Sequence, residues 1–217
     1  MVTMTAVVYV HGMWMPGGEM AFVRRYLAKR HSFEGFLFSY PSVRGTLDDN
    51  AAMLAEFVRQ HGTAEPVHLV GHSLGGVVLL RMLLLHPQVP AARAVCVGSP
   101  LCGSRAAIDL SRHDWGKSIL GRSIADGVTG NPASDWAQVV TEQHEVGIIA
   151  GTMAAGLGRL VTSFDGPNDG TVAVSETRLA GARDHICVAT SHSGLVLSKK
   201  VAEQVAAFLR NGAFLRH

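Results

Sequence analysis

The sequence predicts an α/β domain: a mostly parallel sheet of about six strands, helices on both faces, and a small irregular insertion. Three observations lead there. Short, nearly continuous apolar runs recur along the chain, as strands buried on both faces require. Between them lie segments whose apolar residues fall at helical spacing. A glycine-rich turn joins one of these strands directly to a helix.

The elements follow in order. Residues 5–10 form the first expected strand, which ends in the turn His11-Gly12. Residues 19–30 carry Met20, Phe22, Val23, Tyr26 and Leu27 at helical spacing. Residues 34–39 read as a second strand, stopped by Pro41. A helix follows from about Thr46 to His61, with Leu47, Met53, Leu54, Phe57 and Val58 on its apolar side. Thr46 suits its N-cap, Asp48 and Asp49 suit the positive end of its dipole, and Gly62 suits its end. Val67 to Val70 is a short buried strand, and the next helix runs from beside Ser73 to His86, before Pro87. Further strands are expected at 93–98, 145–151 and 185–189. The last helix spans about 198–210, with Val201, Val205, Phe208 and Leu209 on one face. The stretch 101–142, with Gly103, Gly116, Gly121, Gly127 and Gly130, is less regular. It is expected to form a cap over the C-terminal ends of the strands.

Length and composition narrow the function classes. A chain of 217 residues suits a single domain, 1–217, with a sizeable core. A 47% hydrophobic and 17% charged composition excludes a disordered tail. The net charge is only +2, and no basic run occurs, so no nucleic-acid partner is expected. Three cysteines without a spacing pattern point away from a disulfide framework or a zinc site, and toward a reducing compartment. Residues 1–5 lead straight into the first strand, leaving no room for a secretion signal. No apolar run reaches membrane-spanning length. The expectation is a cytoplasmic protein without a membrane span. The sequence sets no oligomeric state.

The chemistry is concentrated at Gly71-His72-Ser73-Leu74-Gly75-Gly76, which matches G-x-S-x-G between a strand and a helix. A serine on so sharp a turn is held in a strained backbone conformation. Bulky neighbours two residues away would collide with adjacent chain, hence the glycines. The turn lifts the Ser73 hydroxyl above the sheet edge and aims the Leu74 N–H at a developing oxyanion. No Lys-Ser or Lys-Thr follows, so this is not a phosphate loop.

Such a nucleophile needs a base, and the base an orienting carboxylate, in the chain order serine, acid, histidine. Among eleven histidines, His192 lies just after the last strand, at the same sheet edge as Ser73. His185 starts that strand, at the opposite edge, and His72 is expected to pack away from the hydroxyl. Asp169, in Pro167-Asn168-Asp169-Gly170-Thr171, is the favoured acid, although Asn-Asp-Gly is also an ordinary turn former. Asp165 competes from four residues earlier, and Asp184 lies too near the start of the last strand. The loop after the first strand should supply a second oxyanion donor: Gly12 admits a close approach, and Met13 N–H would join Leu74 N–H. His11 is expected to hydrogen-bond the loop itself.

With these residues in place the chain resembles bacterial lipases and carboxylesterases of the α/β-hydrolase family. The resemblance rests on Val8-Tyr9-Val10-His11-Gly12-Met13, on Val67 through Gly76, on Leu179-Ala180-Gly181-Ala182-Arg183, and on His192-Ser193-Gly194-Leu195-Val196-Leu197-Ser198. It implies Ser73, Asp169 and His192 as the triad, and Met13 and Leu74 as backbone donors. The expected activity is hydrolysis of a hydrophobic acyl ester through an acyl-enzyme, with no cofactor and no metal. Trp14, Met15, Leu101 and Leu195 are candidate substrate contacts. A thioesterase, an acyl-protein hydrolase or an acyltransferase would use the same triad, and a non-catalytic binding module would have kept only the scaffold.

Overall fold

The computed structural model describes residues 5–15, 18–62, 65–113, 120–154 and 164–216. Six strands form one parallel sheet: β1 (Thr5–Val10), β2 (Phe33–Phe38), β3 (Val67–His72), β4 (Ala91–Val97), β5 (Val146–Gly151) and β6 (Asp184–Val188). Their spatial order is β2-β1-β3-β4-β5-β6. The chain therefore leaves β1 toward one side and returns at β3 on the other. The loops after β1 and β3 diverge there, opening a crevice at the carboxyl ends of the strands.

Strand side chains alternate between two cores, as the pleat requires. Val8, Val10, Leu69, Cys96 and Ile148 face α2 (Leu47–His61) and α3 (Leu74–Leu85). Val7, Tyr9, Val70, Val95, Val97 and Ile149 face α1 (Ala21–His31) and α7 (Lys199–Asn211). Residues Leu74 to Leu80 are all buried, so α3 is a central helix rather than an amphipathic surface one. Each buried Leu or Val adds about 1.5–3 kcal/mol. Helix α2 starts at a complete capping box, in which Asp49 N–H donates to Thr46 Oγ1 at 3.1 Å and Thr46 N–H to Asp49 Oδ2 at 3.4 Å. The Cys96 thiol is free, and burial pushes it up to about 12.

Most boundaries shift by one or two residues from the sequence reading, and two of the shifts bear on the site. The strand expected to stop at Val70 continues through His72, because Gly71 and His72 still pair with Cys96 and Val97. The glycine that resembles a turn signal is a ladder residue. The first helix starts at Ala21, preceded by a 3-10 turn at Gly18–Met20.

The stretch 101–142 contains α4 (Arg105–Ser111), a π-helical turn at Ala125–Gly130 and α5 (Gln138–Gln143). Gly116, expected within the cap, lies outside the described residues. The described part sends Leu101, Leu120, Ile124, Val128 and Ala133 into the core beneath α2 and α3. Asn50 Nδ2 donates to Ser123 Oγ at 2.8 Å, and Ser123 Oγ donates to Gly45 O at 2.8 Å, tying the segment to the start of α2. No described helix is long and apolar enough to cross a membrane.

Candidate active site

Ser73 adopts φ 52° and ψ −124°, in the region that side chains with a Cβ avoid. The surrounding structure enforces this strain. Its N–H donates to Val97 O at 2.9 Å, and its carbonyl accepts Gly76 N–H at 3.1 Å. The flanking glycines are sterically required. A Cβ on Gly71 would lie 2.6 Å from the Gly75 carbonyl, and one on Gly75 would run into the carbonyl oxygens of Val10 and His11. The Ser73 turn is thus pressed against the end of β1, across the crevice opened by the strand order.

Asp169 is buried, and both of its carboxylate oxygens are occupied. Oδ1 accepts the N–H groups of Thr171 (2.9 Å) and Val172 (2.8 Å), and Oδ2 lies 2.7 Å from His192 Nδ1. His192 begins the short helix α6 (His192–Leu195), whose N-cap Ser191 accepts Gly194 N–H at 3.3 Å. A Cβ on Gly98, at the end of β4, would lie 3.4 Å from both Asp169 Oδ2 and His192 Cε1. His72, the residue before Ser73, lies beside this pair: its ring is centred 4.8 Å from that of His192, and its Nε2 lies 3.3 Å from His192 O. The structure thus joins two of the three expected side chains, Asp169 and His192, by a hydrogen bond. The rivals lie elsewhere. Asp165 is 85% exposed and paired with Arg105 at 2.6 Å. His185, paired with Ile148, bonds Thr177 Oγ1 at 2.9 Å. Asp184 accepts Phe214 N–H and pairs with Arg216.

The loop after β1 is held peptide by peptide. Tyr40 Oη donates to His11 O at 2.9 Å, and Gly12 N–H donates to Glu19 Oε1 at 2.6 Å, fixing both ends of the 11–12 peptide. His11 Nε2 accepts Tyr40 N–H at 3.3 Å, so Nδ1 carries the proton and donates to Gly12 O at 2.6 Å. A trans peptide points its N–H opposite its carbonyl, so this last bond orients Met13 N–H. Among the described residues, neither Met13 N–H nor Leu74 N–H is bonded to a protein acceptor. Burial pulls the His11 imidazole below its ordinary value, more than its bond to Gly12 raises it.

Sequence reasoning missed Glu19. Its side chain is 6% exposed and lies 3.1 Å from Nδ1 of His72, whose side chain is 5% exposed. Burial pushes the Glu19 carboxyl up, but the bond and charge of His72 and the bond from Gly12 outweigh it and hold it below the ordinary range. Burial likewise pulls His72 down, against the raising effect of Glu19. The only sequence signal was an acidic residue following the Gly12 loop at no diagnostic spacing.

The four candidate substrate contacts divide. Trp14 is 55% exposed with φ 61°, and Met15 is 41% exposed. Leu101 and Leu195 are wholly buried, one in each core. Among the described residues no three His, Cys, Asp or Glu side chains converge to hold a metal ion. A cavity of about 390 Å³ lies at the opposite edge of the sheet, among Thr5, Phe33, His68 and Arg93, away from Ser73.

The model of one family, the alpha/beta hydrolases, matches residues 7–207, nearly the whole chain. The chain belongs to the alpha/beta hydrolase family. Solved structures agree on the fold of this alpha/beta hydrolase. The mature form of a lipase from Bacillus licheniformis superposes with a TM-score of 0.75 at 21% identity, covering 98% of this chain and 93% of the other. A metagenomic carboxyl esterase gives 0.67 at 16%, covering 88% and 65%. A thermophilic esterase from Thermogutta terrifontis gives 0.62 at 13%, covering 97% and 91%. No curated protein matches this hydrolase by sequence.

Proposed function

We propose that this alpha/beta hydrolase is a serine carboxylic-ester hydrolase acting on hydrophobic acyl esters, with Ser73, His192 and Asp169 as its triad. One observation carries the reading: a buried carboxylate holds the His192 imidazole at 2.7 Å, at the sheet edge where a strained serine turn lies. Asp169 keeps the proton on Nδ1, which leaves Nε2 as the base.

The steps follow from that arrangement. Ser73 Oγ attacks the ester carbonyl carbon while His192 Nε2 takes the hydroxyl proton. The carbonyl π electrons move onto oxygen, and the Met13 and Leu74 N–H groups hold the oxyanion. The intermediate collapses, the C–O bond to the alcohol breaks, and His192 returns the proton to the leaving oxygen. Water then attacks the acyl-enzyme carbonyl, giving its proton to His192; the second intermediate collapses, the bond from carbon to Ser73 Oγ breaks, and His192 returns the proton to Oγ as the carboxylic acid leaves. Trp14 and Met15, exposed on the loop that carries Met13, offer apolar surface to an acyl chain.

The test is covalent labelling with a fluorophosphonate, beside turnover of p-nitrophenyl esters of rising chain length and the matching thioesters. Labelling and turnover are expected to vanish in Ser73→Ala and collapse in His192→Ala. Persistent labelling of Ser73→Ala sinks the reading. Faster turnover of thioesters than of esters moves the activity to a thioesterase with the same triad.

A further inference from the structure

We infer that Glu19 is a positioning residue for this reaction, hydrogen-bonding the oxyanion loop to the nucleophile turn, whose His72 ring packs against His192. The inference rests on the serine-hydrolase reading above.

The chain of contacts is continuous. Gly12 N–H donates to Glu19 Oε1 at 2.6 Å. The same oxygen lies 3.1 Å from His72 Nδ1, and His72 Nε2 lies 3.3 Å from His192 O. One carboxylate oxygen thereby links the loop after β1 to the turn after β3, where a neutral His72 donates from Nδ1 and packs its ring against that of His192.

The location is chemically costly. A carboxylate excluded from water loses several kcal/mol of solvation unless it is paired and hydrogen-bonded. Glu19 lies on the 3-10 turn Gly18–Met20, next to the water-accessible entrance of α1, yet its side chain turns inward. There it accepts the one N–H that fixes the 11–12 peptide. A Cβ placed on Gly12 would lie 3.1 Å from Ser73 Cβ, so a shift of this loop moves the wall of the nucleophile itself. Without Glu19, the 11–12 peptide is held only at its carbonyl, by Tyr40, and the buried Gly12 N–H loses its acceptor, which loosens the loop that carries Met13 N–H. A misplacement of this kind weakens transition-state contacts while leaving the acyl-chain surface intact.

The role depends on reach rather than charge, and two conservative changes separate these. Glu19→Gln keeps the length of the side chain and an oxygen acceptor for Gly12 N–H. Glu19→Asp keeps the charge and shortens the reach by one methylene. Measured in the full chain with a p-nitrophenyl ester, Glu19→Asp is expected to lose about tenfold or more in kcat at unchanged KM. Its second-order rate of fluorophosphonate labelling should fall in parallel, and Glu19→Gln should keep most of both. His72→Ala breaks the same chain from its other end, and the same loss of kcat is expected. Counting labelled sites normalises each rate to folded enzyme. Wild-type kcat in Glu19→Asp or in His72→Ala overturns the inference, as does a change confined to KM or to the number of labelled sites. Undiminished labelling of Ser73→Ala instead overturns the hydrolase reading, whatever Glu19 does.

Discussion

Asp169 and His192 are joined twice: by side chain, at 2.7 Å between Oδ2 and Nδ1, and by main chain, at 2.9 Å from His192 N–H to Asp169 O. The second bond holds the backbone that carries the imidazole, so the ring has little freedom to leave the carboxylate. In Asp169→Asn the backbone bond survives, and the amide can still accept the Thr171 and Val172 N–H groups. Its NH₂ then faces Nδ1 and moves the imidazole proton to Nε2, the wrong tautomer for a base. The expected loss in kcat is about 10³–10⁴ with the fold retained, checked by ester turnover beside circular dichroism.

Gly75 tests the steric logic of the nucleophile turn. A Cβ there meets the carbonyl oxygens of Val10 and His11, main-chain atoms that cannot rotate away. Gly75→Ala is expected to cost about 1–3 kcal/mol in denaturant unfolding and to slow fluorophosphonate labelling. A Cβ on Gly18 would meet nothing within 4 Å, so Gly18→Ala is expected to stay within about 0.5 kcal/mol.

His68 gives a pH dependence of stability remote from the catalytic edge. Burial, reinforced by the charge of Arg93, lowers its imidazole from 6.5 to about 4. The unfolded chain takes up a proton below 6.5, whereas the folded ring stays neutral and accepts Arg93 N–H at 3.1 Å. The contribution is whole above 6.5 and is lost as pH falls toward 4, an effect on the order of 3 kcal/mol. His68→Asn should remove that much of the difference between unfolding free energies at neutral and acid pH. Since His11, His72, His144 and His185 are depressed too, the readout is wild type minus variant.

Trp14 sets strain against binding. Its φ of 61° is a region glycine occupies freely and tryptophan does not. Trp14→Gly is expected to hold or raise the melting temperature. It should also raise KM for long-chain p-nitrophenyl esters while leaving the acetate ester unaffected. An equal KM change for every chain length would remove Trp14 from the acyl surface.

Much of this fold was legible because its signals are local. The apolar runs of β1, β3 and β4 are short and bounded by turn residues, as strands of a sheet buried on both faces are, and Thr46 with Asp49 marks a helix start by chemistry alone. The order of Ser73, Asp169 and His192 along the chain, with the edge rule for parallel sheets, selected among eleven histidines. Glu19 was invisible because its partners, Gly12 and His72, meet it only through the packing of β1 against β3. Leu101 and Leu195 illustrate the same limit. An apolar residue near a mouth and one inside a core are written with the same letter, and both of these are core.

The strand order also sets how much of the chain the chemistry needs. Ser73 sits at the end of β3, near the middle of the sheet, while Asp169 and His192 belong to loops beside its last two strands. Under the proposed triad, the serine and its two partners therefore come from opposite halves of the chain. On that reading the Ser73 hydroxyl gains its base only with the segment after β6, so a chain ending before His192 is expected to lose all ester turnover.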